Sequence, residues 1–86
     1  MRILFAADNH YATHGGRALH DVIASHYDIE FHEDEWSCFD RSLAGQYDLL
    51  ILNMISGSCD VPMPGEDAEA NVRGYVEAGG NLFLVH

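Results

Sequence analysis

Three of the six histidines, His10, His14 and His86, stand in or beside segments where an apolar run gives way to polar residues. Imidazoles from different strand ends can converge above a sheet, and three of them could hold a divalent metal, zinc being the common choice, with a carboxylate or water completing the shell. Their spacing matches no recognised zinc motif, and a loop histidine is more often a hydrogen-bonded surface group. His86 could instead serve as a general acid or base, because imidazole titrates near neutrality. Asp8 and Asn53 each follow or close an apolar run. Either residue could hydrogen-bond a polar ligand, or cap and turn the chain. Cys59 has no base beside it in sequence and Cys38 reads as a small residue in a packed turn, so neither is expected to act as a nucleophile. With no CxxC pair, neither a disulfide framework nor a thiolate zinc site is expected.

The elements that must position these groups follow from the pattern of apolar residues. Ile3 to Ala7 is an unbroken apolar run, as expected for a strand covered on both faces of a parallel sheet. A polar loop from Asp8 to Gly16 follows. From Arg17 the residues Ala18, Leu19, Val22 and Ile23 recur at helical spacing, with Arg17, His20 and Asp21 on the other side. Tyr27 to Asp34 alternates Ile29 and Phe31 with Asp28, Glu30 and His32, which predicts a half-exposed strand nearer the edge, with His32 outward. A helical turn within Ser37 to Ala44 packs Phe39 and Leu43 inward and stops at Gly45. Asp48 to Asn53 is the clearest buried strand. A breaker-rich loop through Pro62, Pro64 and Gly65 leads to a helix whose first turn carries Glu66, Asp67 and Glu69, where the helix dipole favours acids. Val72, Tyr75 and Val76 supply its apolar stripe, and Gly79 a left-handed cap before a fourth strand, Leu82 to His86. Alternation of strands and helices predicts an α/β domain, a parallel sheet with helices on both faces, whose crevice lies at the carboxyl ends of the strands. His20 and His26, within or at the end of the first helix, are expected to be structural.

Fourteen acids against four arginines and no lysine give a formal net charge of −10 over 86 residues. Such a field repels phosphate backbones and anionic lipid, so nucleic acid and membrane surfaces are not the expected partners. Neutral or cationic small molecules suit it better, although acidity also simply keeps a protein soluble. The short apolar start lacks the form of an export signal and no stretch approaches the roughly 20 apolar residues of a membrane span, so the expectation is a cytoplasmic protein.

Three segments resemble the trehalose-utilisation (ThuA-like) family, whose fold is of the class I glutamine amidotransferase type. They are the first strand with its histidine-bearing loop, the run Tyr47-Asp48-Leu49-Leu50-Ile51-Leu52-Asn53, and the segment from Tyr75 to His86 with its glycine pair and apolar strand delivering a histidine. The resemblance implies a flavodoxin-like or glutamine amidotransferase-like sheet and the N-terminal half of a single domain, since the pattern ends at His86. In the related amidotransferases a nucleophilic cysteine occupies the place where His86 stands. An imidazole cannot form their thioester, so cysteine-dependent glutaminase chemistry is not expected. What the resemblance implies instead is carbohydrate metabolism. Asp8, His10, His14 and Asn53 would bind a sugar or glycoside, and His86 would act on a hydroxyl. Trp36 and Tyr11 could stack on a sugar face, or Trp36 could cover the core edge.

Two other readings remain open, a non-catalytic regulatory or binding module and a fragment inactive alone, although two familiar forms of the former lack their residues. A receiver-like regulatory module needs an acidic residue after its third strand and a lysine further on, whereas this chain has Asn53 and no lysine. A nucleotide-binding module needs a glycine-rich phosphate loop, and Gly15-Gly16 fits neither GxGxxG nor the P-loop pattern. The chain could also be inactive alone, if both halves of a domain build the crevice. The sequence leaves the oligomeric state open.

Overall fold

A computed structural model of the chain describes residues 1–9, 12–54 and 64–85. Four strands, β1 (Arg2–Ala7), β2 (Asp28–Glu33), β3 (Leu49–Asn53) and β4 (Asn81–Leu84), form a parallel sheet in the order β2-β1-β3-β4. Two helices, α1 (Gly15–Ile23) and α2 (Glu66–Glu77), and a short 3₁₀ turn (Ser37–Phe39) connect them. The architecture is α/β and compatible with a flavodoxin-like fold. In register, Ala7 stands between Glu33 of β2 and Asn53 of β3, so these three strands finish level at their carboxyl ends.

Burial explains why β1 takes the centre. Residues Ile3 to Ala7 are all at most 2% exposed, which only a strand flanked by neighbours and covered above and below achieves. Its odd residues Ile3, Phe5 and Ala7 pack with Ile51 and with Leu19 and Ile23 of α1. Its even residues Leu4 and Ala6 pack with Leu50, with Cys38 and Phe39 of the 3₁₀ turn, with Leu43 and Tyr47, and with Ala68 and Tyr75 of α2. The period of two thus divides one strand between two apolar clusters.

The first helix departs from its expected form. It begins at Gly15 rather than Arg17, and Val22 is 70% exposed although it lay on the expected apolar stripe. The face toward the sheet runs instead through Gly16, Leu19, His20 and Ile23, the i, i+3, i+4, i+7 set. Gly16 allows this close approach, since a Cβ built there would lie 2.4 Å from the Ala7 Cβ. His20 was expected on the outer side, yet its ring stacks on Phe31 with centroids 4.5 Å apart. An imidazole presents an apolar face as well as polar edges, which hydropathy alone does not register.

In α2, Tyr75 is buried as expected and its hydroxyl donates to the Asn81 carbonyl at 3.0 Å, but Val76 is 44% exposed. Gly79 has φ +94, the left-handed conformation expected of the residue that ends this helix. The two borders of the sheet differ. The side of β2 carries Asp28, Glu30, His32 and Glu33, whereas β4 exposes Leu82, Phe83 and Leu84. No helix among the described residues is long and apolar enough to cross a membrane.

Candidate functional site

Between β1 and β3 the sheet order reverses direction, because the chain leaves β1 for one side and returns to build on the other. In open α/β sheets this switch point opens a crevice at the carboxyl ends of the strands. Asp8 and Asn53 stand there. The Asp8 N–H donates to the Asn53 carbonyl at 3.0 Å, which ties the two tips together. Asp8 has no exposed surface and Asn53 only 5%, and they are the two buried polar residues of the described chain. The Asn53 amide also lies beneath the start of α1, 3.4 Å from where a Gly16 Cβ would be.

A tight set of contacts surrounds these tips. The Asp34 N–H donates to the Ala7 carbonyl at 2.9 Å, and the Asp34 carboxylate accepts from the Asn9 N–H at 2.7 Å. The Asn9 side-chain oxygen in turn accepts from the His14 N–H at 2.8 Å. The His14 Nδ1 lies 3.0 and 3.1 Å from the two Glu33 oxygens, and its Nε2 lies 3.4 Å from the Asn9 amide nitrogen. Arg17 donates to the same Glu33 at 3.0 Å. Burial alone would push the Glu33 carboxyl up, but the hydrogen bonds from Arg17 and His14 prevail and hold it below its ordinary value. Ala12, His14 and Asp34 all have positive φ, at 53, 50 and 54. Non-glycine residues seldom adopt this conformation, and such residues cluster at ligand sites.

Of the residues singled out from the sequence, Asp8, His14 and Asn53 are therefore placed at this end of the sheet. His10 and His86 fall outside the described residues, as do Tyr11 and Cys59. Among the described residues no group of three or more histidine, cysteine or acidic side chains could hold a metal ion. Cys38 is buried in the packed turn as expected, and burial pushes its thiol up to about 12, which makes it a poor nucleophile.

The chain matches no family model, curated protein or solved structure.

Sequence reasoning missed a second polar cluster on the outer strand. Glu30 of β2 accepts from the Tyr47 hydroxyl at 2.9 Å and from Arg2 at 3.2 Å on one oxygen. Its other oxygen faces His32 Nε2 at 2.7 Å and accepts from Arg41 at 3.3 Å. Arg41 also hydrogen-bonds the Tyr47 hydroxyl. Burial favours the neutral acid here, yet the hydrogen bonds from His32, Tyr47 and Arg41 outweigh it and hold Glu30 at about 2. His32 is thus not the free outward side chain that strand alternation predicts, being only 24% exposed. The sequence signal was the i, i+2 pairing of Glu30 and His32, which puts both on one face. Nothing in the spacing announced Arg41 or Tyr47.

Between the 3₁₀ turn and α2 lies an apolar cavity of about 450 Å³ bounded by residues that include Phe39, Leu52, Ala68 and Val72. Glu69 and Arg73, paired at 2.7 Å, stand on its rim.

Proposed function

We propose that the chain belongs to a carbohydrate-metabolism protein of the trehalose-utilisation type, cytoplasmic, with helices on both faces of a glutamine amidotransferase-like sheet, and that it binds a sugar or glycoside at the β1–β3 switch point. The observation that carries this reading is the pair of buried polar residues, Asp8 and Asn53, on adjacent strand tips at that point. Neighbouring strands run about 4.8 Å apart, a spacing that suits the hydroxyls of one sugar ring. The buried pair makes the floor polar without a charge on the ligand, and the more open Asn9 and His14 are the groups that reach the ligand's hydroxyls. Asp8 and Asn53 form the floor in this reading, and Asn9 and His14 the rim. The acidic surroundings, with Glu33 and Asp34 nearby, fit a neutral ligand better than a sugar phosphate. His10 and His86, which lie outside the described residues, belong to the same crevice in this reading because the first and fourth strands are expected to end there, with His86 as general acid or base.

The test is an amide NMR titration with trehalose, glucose and glucose 6-phosphate. At about 10 mM, tenfold above a weak millimolar Kd, the neutral sugars are expected to shift the amides of residues 7–9, 14–16, 33–34 and 53–54. Asn53→Ala removes those shifts while leaving the remaining spectrum folded. Unchanged spectra with every sugar, or shifts confined to the cavity beside α2, overturn the reading.

A further inference from the structure

His32 is held between two carboxylates. Its Nε2 lies 2.7 Å from the Glu30 Oε2, and its Nδ1 lies 3.0 Å from the Glu35 Oε2. A carboxylate can only accept, so each ring nitrogen must donate for both contacts to be attractive. Neutral imidazole carries one N–H. With a single proton on the ring, one of the two contacts becomes a lone pair facing a carboxylate, which is repulsive. Both contacts are attractive together only when the ring is the imidazolium.

The contact with Glu35 is the weaker of the two. Glu30 is 25% exposed and is anchored independently by Tyr47, Arg2 and Arg41. Glu35 is 49% exposed, and its other oxygen accepts from the Ser37 N–H at 2.6 Å, at the first residue of the 3₁₀ turn. A chain of contacts thus runs from the sheet through Glu30, His32 and Glu35 to the turn. That turn buries Cys38 and Phe39, and Phe39 forms part of the wall of the apolar cavity.

We propose that His32 is a proton-operated clasp, which fixes the 3₁₀ turn and the Phe39 wall of the cavity to the sheet while the ring carries two protons and releases them when it carries one. The charged and titratable groups facing the clasp are Glu30 on its own strand, Glu35 on the loop that follows, Arg41 and Tyr47 before β3, and Arg2 on β1, the last three acting through Glu30. Glu30 and Glu35 stay ionised across the histidine range. Burial opposes charge on Glu30 but its hydrogen bonds hold it at about 2, and the Ser37 contacts lower Glu35. The clasp is therefore closed while both ring nitrogens carry protons and opens when rising pH removes one of them.

Hydrogen exchange of the Ser37, Phe39 and Asp40 amides, followed by NMR on the whole chain from pH 5 to 8, reads the clasp directly. After correction for intrinsic rates, and relative to Leu4 and Phe5 in β1, protection of these amides is expected to fall by about tenfold or more, as the loss of one charge-assisted hydrogen bond implies. His32→Gln and Glu35→Gln each remove the pH dependence, and the latter leaves an acceptor for the Ser37 N–H. Should His32→Gln fail to fold, the exposed Glu35→Gln carries the test alone. Protection that stays level in the unmodified chain, or a fall of the same size in Glu35→Gln, overturns the proposal.

Discussion

Replacing Glu30 by glutamine is the sharpest probe of how the outer strand is held. The carboxylate accepts from Tyr47, Arg2 and Arg41 and faces His32, while an amide in its place keeps one acceptor oxygen and turns a donor toward other donors. Glu30 is depressed from 4.5 to about 2, because its hydrogen bonds with His32, Tyr47 and Arg41 exceed the opposing effect of burial. A shift of that size corresponds to a ceiling of about 3 kcal/mol. A side chain one quarter open to solvent is partly screened, which brings the expected loss to about 1–2 kcal/mol. The sign follows from the direction of the shift. Stability from a carboxyl depressed in the folded state is fully present above its unfolded value of 4.5 and disappears as pH falls from there toward 2. Urea unfolding at pH 7 should therefore show Glu30→Gln with a lower midpoint and an unchanged slope, and the gap to the unmodified chain should narrow at pH 4 and again at pH 3. A gap that stays constant over that range would show that the carboxylate's charge contributes nothing. No gap at pH 7 would show that the four contacts are not formed in solution.

Two further substitutions test the packing. Gly16→Ala places a methyl 2.4 Å from the Ala7 Cβ, so α1 must shift away from the sheet, and urea unfolding should register a loss of about 1–3 kcal/mol. Gly74→Ala, inside α2 with nothing within 4 Å of the new Cβ, should raise the thermal midpoint, with a gain of about 0.5–1 kcal/mol from lower unfolded-state entropy.

Much of the scaffold was legible in the residues. The unbroken run Ile3 to Ala7 is buried and central, Leu49 to Asn53 lies beside it, and Phe39, Leu43 and Tyr75 point inward as their periodicity requires. What escaped detection arises from contacts distant in sequence. The face that α1 presents to the sheet is decided by how closely Gly16 approaches Ala7 and by His20 stacking on Phe31, neither of which a hydropathy pattern carries. Strand alternation alone turned His32 outward, whereas Glu35 and Glu30 hold it across a turn and an interstrand network. At the crevice, Asp8 and Asn53 were recognisable as residues at the ends of apolar runs. That Glu33 would engage both His14 and Arg17, and Asp34 the Asn9 N–H, depends on the left-handed backbone at Ala12, His14 and Asp34, which no residue type there announces.

The unequal borders of the sheet give it a direction of growth. A strand added beside β2 would have to strip water from Asp28 and compete with arginine partners already engaged there, whereas one added beside β4 would cover Leu82, Phe83 and Leu84 and displace no charge. Covering the β4 margin would thus remove apolar surface from water, whereas covering the β2 margin would cost the hydration of charged groups, so the two flanks differ in sign as well as in composition.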